Sequence, residues 1–182
     1  QYLRCSSFSG ELDFLVSSKV RYRDVLRSHA DDYVQRVATG TLSRKEVQKI
    51  NLPYSSQLVK RSFLALSGTY TAALQALETG IACHTAGGTH HAHFSNGSGF
   101  CVFNDAAIAA RVIQRTFAAD CNVAIIDLDV HQGNGTAHIF RDDPTVFTFS
   151  MHGAKNFPFR KEHSDLDIEL PDGCADDDYL AQ

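Results

Sequence analysis

The 182-residue chain has no tryptophan, one methionine and only four prolines. Its longest unbroken apolar run is the five residues Ala106–Ala110, far short of the roughly 20 that a membrane-spanning helix needs, so no membrane partner is expected. An excess of positive charge is missing too: 17 Lys+Arg against 21 Asp+Glu leave a net charge of −4. No general basic field is therefore available to hold nucleic acid. The five cysteines, Cys5, Cys83, Cys101, Cys121 and Cys174, are odd in number, widely spaced and without a CxxC pair. That argues against a disulfide framework or a thiolate metal site, and for a reducing compartment, cytoplasm or nucleus. The first residue is Gln1 rather than Met, and no signal-peptide pattern follows it, so the sequence leaves targeting and oligomeric state open. Charge is also scarce through the middle of the chain: residues 61–140 hold only eight charged side chains. That stretch is expected to be mostly interior, and any carboxylate in it needs a partner, because burying an unpaired one is costly.

What is abundant is histidine in one place. Seven of the nine histidines lie between His84 and His152, a 69-residue window. Around it the hydrophobic pattern predicts helices over His29–Val37, from the capping-box sequence at Ser43 with Glu46 three residues on, over Ser55–Leu77 up to Gly80, and over Asn104–Phe117. The C-terminal DGCADDDYLAQ reads as a turn and the first turns of another helix. Short apolar runs at Ile81–Thr85, Asn122–Asp127, Thr145–Ser150 and Leu166–Leu170 lack polar alternation, as strands buried on both faces do. Alternating helices and strands predict one α/β domain over residues 1–182, a parallel β-sheet flanked by helices, with ligands at the carboxyl ends of the strands.

Three segments fall in those loops: Gly87–Asp105, Asp127–Thr136 and Ser150–Phe159. In the second, Asp127, Asp129 and His131 stand at i, i+2 and i+4, on one side of an extended backbone. Two carboxylates and an imidazole converging there repel unless a cation or proton sits among them. Asp129 and His131 are O and N donors suited to Zn²⁺ or another divalent transition metal; the alternative is that the acids cap the following helix and His131 is a loop histidine. In the first segment, His90 and His91 follow Gly87-Gly88. Neighbours in an extended loop diverge, so the two would approach one bound water from different angles, one imidazole accepting a proton and the other donating one. Asp127 and Asn134 are available to orient them; the alternative is two histidines bonded to backbone. Phe100, after Gly97-Ser98-Gly99, and Phe157, before Pro158, could wall an apolar passage or serve as ordinary core. Cys101 reads as a small buried hydrophobe, His93, His138 and His152 as structural, and His84 as a satisfied core histidine.

The ordered motifs GGTHHA, GSGFCVFND, IIDLDVHQGNGT and SMHGAKNFPFRKEHSDLDIELPDG resemble the zinc-dependent histone deacetylase family of the arginase–deacetylase superfamily, from about residue 25 to the end. The wording is most similar to class IV and the related bacterial and plant-type deacetylases. The resemblance implies hydrolysis of N-acetyl-lysine amides in histones or other proteins, or of an acetylated small amine, with one Zn²⁺ per chain. It matches Asp129 and His131 to two of three zinc ligands and His90 and His91 to the catalytic pair. Asp127 and Asn134 match the partners of that pair, Phe100 and Phe157 the aromatics flanking the acetyl-lysine tunnel, and Gly99 the point where substrate passes the backbone. It further implies a K⁺ near Asp127, Asp129, His131 and Ser150. The family's third zinc ligand and its oxyanion-stabilising Tyr fall further along than Gln182, so the sequence is expected to be a C-terminally incomplete fragment with little activity by itself. An acetylpolyamine amidohydrolase, a ureohydrolase on the same scaffold, and a short non-catalytic binding form are the competing readings. Gln132 stands where many members carry a second His.

Overall fold

Four helices fill the N-terminal half: α1 (Tyr22–Val25), α2 (Asp31–Thr39), α3 (Arg44–Ile50) and α4 (Ser56–Thr79). The structure is a computed structural model that describes residues 13–117 and 121–182; Cys5 lies outside them. Capping sets two of the helix starts. Ser43 accepts the Glu46 backbone N–H while the Glu46 carboxylate accepts that of Ser43, a reciprocal box opening α3. Ser55 accepts the Leu58 N–H at the start of α4, and Gly80 ends that helix. The chain continues through α5 (Asp105–Phe117), β1 (Val123–Asp127), α6 (Asn134–Phe140), β2 (Val146–Gly153), β3 (Leu166–Leu170) and α7 (Asp176–Leu180).

The three strands form a parallel sheet in the order β1-β2-β3, with Val123 opposite Val146, Asp127 opposite Ser150 and Ser150 opposite Asp167. Parallel strands need crossovers, and α6 supplies the one from β1 to β2. Ala107 and Ala110 of α5 and Phe140 of α6 bury Val146 against Val123 and Ile125; alanines on α5 let the helix lie close to the sheet. A larger core joins α1 to α5 through Val25, Tyr33, Val37, Leu66, Phe103 and Ile108. Phe103 sits at its centre, its ring centroid 5.3 Å from those of both His29 and Phe63.

Two expectations are corrected. The run Ile81–Thr85 is not a strand: Ile81 is 78% exposed, and no described neighbour offers it a ladder, without which extended residues form no sheet. The sheet is also not buried on both faces. The described helices that pack on it, α5 and α6, cover one side, while Ile126, Phe147 and Leu166 remain exposed.

Candidate active site at the carboxyl ends of the strands

β1 ends at Asp127, and its carboxylates turn the chain. Asp127 Oδ1 accepts the Asp129 N–H at 3.0 Å, and Asp129 Oδ1 accepts the His131 N–H at 2.8 Å. The chain bends over residues 129–131, and the Asp129 and His131 side chains are both about half exposed, beside the exposed Ile126, Leu128 and Val130. The second oxygen of Asp127 takes the Nδ1–H of His90 at 2.5 Å. Asn134, first residue of α6, offers its side-chain oxygen to Nδ1 of His91 at 2.7 Å. With Nδ1 donating, His91 keeps Nε2 as a proton acceptor.

The adjacent histidines do not diverge. Their ring centroids lie 4.1 Å apart at 38°, because residues 90 and 91 sit in a turn rather than an extended segment. Beside them, Asp129 Oδ1 is 3.0 Å from His131 Nδ1 and 3.9 Å from His90 Nε2, and the His91 and His131 rings are 5.9 Å apart. Asp129 and His131 thus present one carboxylate and one imidazole together. Among the described residues no group of three or more His, Cys, Asp or Glu side chains is arranged to hold a metal ion.

Electrostatics separates the pair. Burial works against a charged His90, but the Asp127 hydrogen bond and charge, with Asp129 and Asp105, outweigh it and raise its pKa above the ordinary value. Burial, then the neighbouring charge of His90, push His91 down to about 4 despite the Asn134 bond. Near neutral pH His91 is therefore an uncharged imidazole beside one that favours its proton.

Gly99 lies against this pair. A Cβ there would meet His91 Cδ2 at 2.6 Å and Phe157 Cε1 at 3.0 Å, and its φ is +51°. The Phe157 ring stands edge-on to His91, centroids 4.8 Å apart at 87°. Phe100 is 61% exposed with φ 65°. That conformation is uncommon for a non-glycine residue, and it is held by two backbone bonds to the end of α3, Gly99 N–H to Lys49 O and Phe100 N–H to Ile50 O. Gly99, Phe100, Phe157 and both histidines line one cleft of about 1500 Å³. Gly99→Ala is expected to destabilise the fold by about 1 to 3 kcal/mol, since overpacking a filled space costs on that scale; denaturant unfolding checks it, and unchanged stability would contradict the close packing.

Several other residues are not bonded to the imidazoles of the histidine pair. Ser150 is buried opposite Asp127 in the sheet, its hydroxyl 3.0 Å from His152 Nδ1. Cys101 is buried and its thiol pushed up to about 12 by that burial, so it packs as a small hydrophobe. His93 Nδ1–H donates to the His91 carbonyl, and its ring lies tilted against that of His138, centroids 4.9 Å apart at 59°. His84 departs from the expectation of a satisfied core histidine: its Nε2 is buried without a partner, and its ring fills the space a Cβ on Gly68 would take. Gln132 is buried, its amide bonded to the N–H and C=O of Glu162 and to Asp167. It thereby fixes the segment after Phe157; the sequence offered no sign of this long-range role. Asn104 and Asp105 were also unassigned, although Asn-Asp before an apolar helix is a readable cap.

The chain matches the histone deacetylase domain model over residues 2–182. It is 56% identical over 152 residues to an uncharacterized protein of Picosynechococcus sp., covering 84% of this chain and 50% of that protein. It is 36% identical to the acetoin utilization protein AcuC of Bacillus subtilis, covering 72% and 36%, and 31% identical to histone deacetylase 2 of Arabidopsis thaliana, covering 91% and 44%. Among solved structures it is similar to a histone deacetylase homolog from Aquifex aeolicus, with 26% identity and a TM-score of 0.78 over 94% of this chain and 52% of that one. The chain spans half or less of the length of these curated relatives. A domain match over nearly every residue, the parallel α/β fold and the agreement with that solved structure lead to one conclusion: the chain belongs to the histone deacetylase family.

Proposed function

We propose that residues 1–182 are part of a single deacetylase domain that hydrolyses the amide of N-acetyl- or N-acyl-lysine in histones or other proteins. The observation that carries the reading is the stacked imidazole pair, one ring held by a carboxylate and the other by a neutral amide. Amide hydrolysis needs one group to accept a proton from the attacking water and return it to the leaving amine. Uncharged His91, with Nε2 open, suits both transfers. His90, oriented by Asp127, supplies positive character beside the developing charge. Asp129 and His131 would hold Zn²⁺, an O and an N donor of the type that ion takes. When bound it supplies Lewis-acid polarisation of the scissile carbonyl and acidifies water. Two protein ligands are one fewer than a catalytic zinc site ordinarily uses, so residues 1–182 alone would hold the ion weakly and turn over little. Asp127, Asp129, His131 and Ser150 would surround a K⁺. Phe100 and Phe157 would pack the methylene stem of the substrate across Gly99.

The full-length protein tests this. Metal analysis should find one zinc per chain, and an acetyl-lysine peptide should be deacetylated. Two manganese ions with release of urea from a guanidine substrate would replace the reading with a ureohydrolase, and faster turnover of an acetylated polyamine would move it to small amines. Absence of any turnover with zinc bound would leave a binding protein.

A further inference from the structure

The loop that carries the histidine pair is held from behind by two residues of the GSGFCVFND motif. Asp105 is 2% exposed and has no ion-pair partner among the described residues. Its carboxylate is met by four neutral donors instead. Oδ1 accepts the Thr89 N–H at 2.8 Å and the Thr89 hydroxyl at 2.7 Å; Oδ2 accepts the Gly88 N–H at 3.0 Å and the Thr69 hydroxyl at 2.5 Å. The two backbone bonds seize the residues directly before His90.

Asn104 seizes the residues on the other side. Its side-chain oxygen caps α5 through the Ala107 N–H, so the amide is fixed by the helix. Its NH₂ donates to the Ala92 carbonyl at 3.2 Å and the Thr136 hydroxyl at 3.0 Å, and its backbone N–H donates to His29 Nε2 at 2.9 Å. Thr136 in turn donates its own N–H to the His90 carbonyl. α6, which carries Asn134, is therefore locked to the same loop. Space leaves the loop no latitude: a Cβ on Gly135 would come within 2.3 Å of the Ala92 carbonyl and 2.6 Å of that of His90.

A buried carboxylate with a purely structural task looks different here. Asp24, also fully buried, is met by the guanidiniums of Arg21, Arg27 and Arg115 and ties α1 to the far end of α5. Asp105 instead spends every contact but one on the two residues that lead into His90 and His91. Resting on the proposed deacetylase reading, we infer that Asn104 and Asp105 are positioning residues for the histidine pair, gripping residues 88–89 and 92 from the first turn of α5 so that the rings keep their stacked geometry. They touch no substrate; they act through the loop.

The test uses the full-length protein, labelled with ¹⁵N-histidine, at a temperature well below unfolding. Asp105→Asn turns an acceptor oxygen into an NH₂ facing the Gly88 N–H or Thr89, which releases the loop. Expected are a fall in kcat of roughly 30- to 100-fold with KM within about twofold, the scale of a misplaced catalytic group, and displaced imidazole resonances of His90 and His91. Thr89→Val keeps both backbone bonds and should give a smaller change of the same kind; it replaces the first variant should that one fail to fold. Asp24→Asn should lower Tm and leave kcat, KM and the resonances unchanged. Turnover within about threefold of wild type in both loop variants overturns the inference, as does lost turnover with unmoved resonances. Should wild type itself show no deacetylation, the family-level activity fails separately, and the resonances still decide: displaced in Asp105→Asn they support the grip, unmoved they refute it.

Discussion

His91→Ala in the zinc-loaded full-length protein is expected to lower deacetylation roughly 100- to 10,000-fold, the range over which general acid–base groups contribute, while zinc content stays at the wild-type level. The expectation follows from where His91 stands. It lies beside His131 and Asp129 but is bonded at Nδ1 to Asn134 alone, so its removal takes away a proton acceptor and leaves Asp129 and His131, the proposed zinc donors, in place. His131→Ala should do the reverse at the first step, losing zinc before turnover can be measured. Metal analysis of both variants alongside kinetics separates the two roles. A His91→Ala enzyme that keeps its rate would remove His91 from the reaction.

Acid should destabilise the fold by way of a histidine outside the cleft. His29 is buried against Tyr33 and Phe103, and its Nε2 accepts the Asn104 N–H. Burial pushes its pKa down from 6.5 to about 4. Between those values the unfolded chain binds the proton and the folded one does not. Stability contributed by neutral His29 is therefore complete above pH 6.5 and is lost as pH falls toward 4, a loss of about 2 to 3 kcal/mol by pH 4.5. His91 acts in the same direction, and His90, whose pKa is raised, acts oppositely: its contribution is present below 6.5 and fades as pH rises. Denaturant unfolding at pH 7 and pH 4.5 should show the acid loss in wild type. His29→Gln, whose amide oxygen can accept the Asn104 N–H and does not titrate, should show it reduced by about 2 kcal/mol or more; an equal loss in both proteins would place the acid sensitivity elsewhere.

Local signals were legible. Ser43 with Glu46 fixed a helix start, Gly80 an end, and the runs at 122–127, 145–150 and 166–170 became the strands at 123–127, 146–153 and 166–170, because caps and apolar periodicity act within a few residues. The run at 81–85 misled because a strand is completed by a partner, which no property of the run itself supplies. For the site, the i, i+2, i+4 spacing picked out Asp127, Asp129 and His131, but the structure places Asp129 and His131 on bends held by the Asp127 and Asp129 carboxylates rather than on an extended backbone. The stacking of His90 on His91 was hidden, since it depends on a turn whose shape is imposed from residues 104, 105 and 136.

By itself the sequence determined the alternating α/β plan, the Asp127–Thr136 loop at the end of β1 and the residue types able to handle a proton or a divalent ion, all consequences of local propensity and side-chain chemistry. Only the tertiary structure decided which histidine has its pKa raised and which has it lowered. A carboxylate 37 residues away bonds His90, an amide 43 residues away bonds His91, and burial sets how far each partner shifts its proton. It also gave Asn104 and Asp105 their hold on the loop, because hydrogen bonds to a backbone depend on where the fold brings that backbone and leave no trace in the order of the residues.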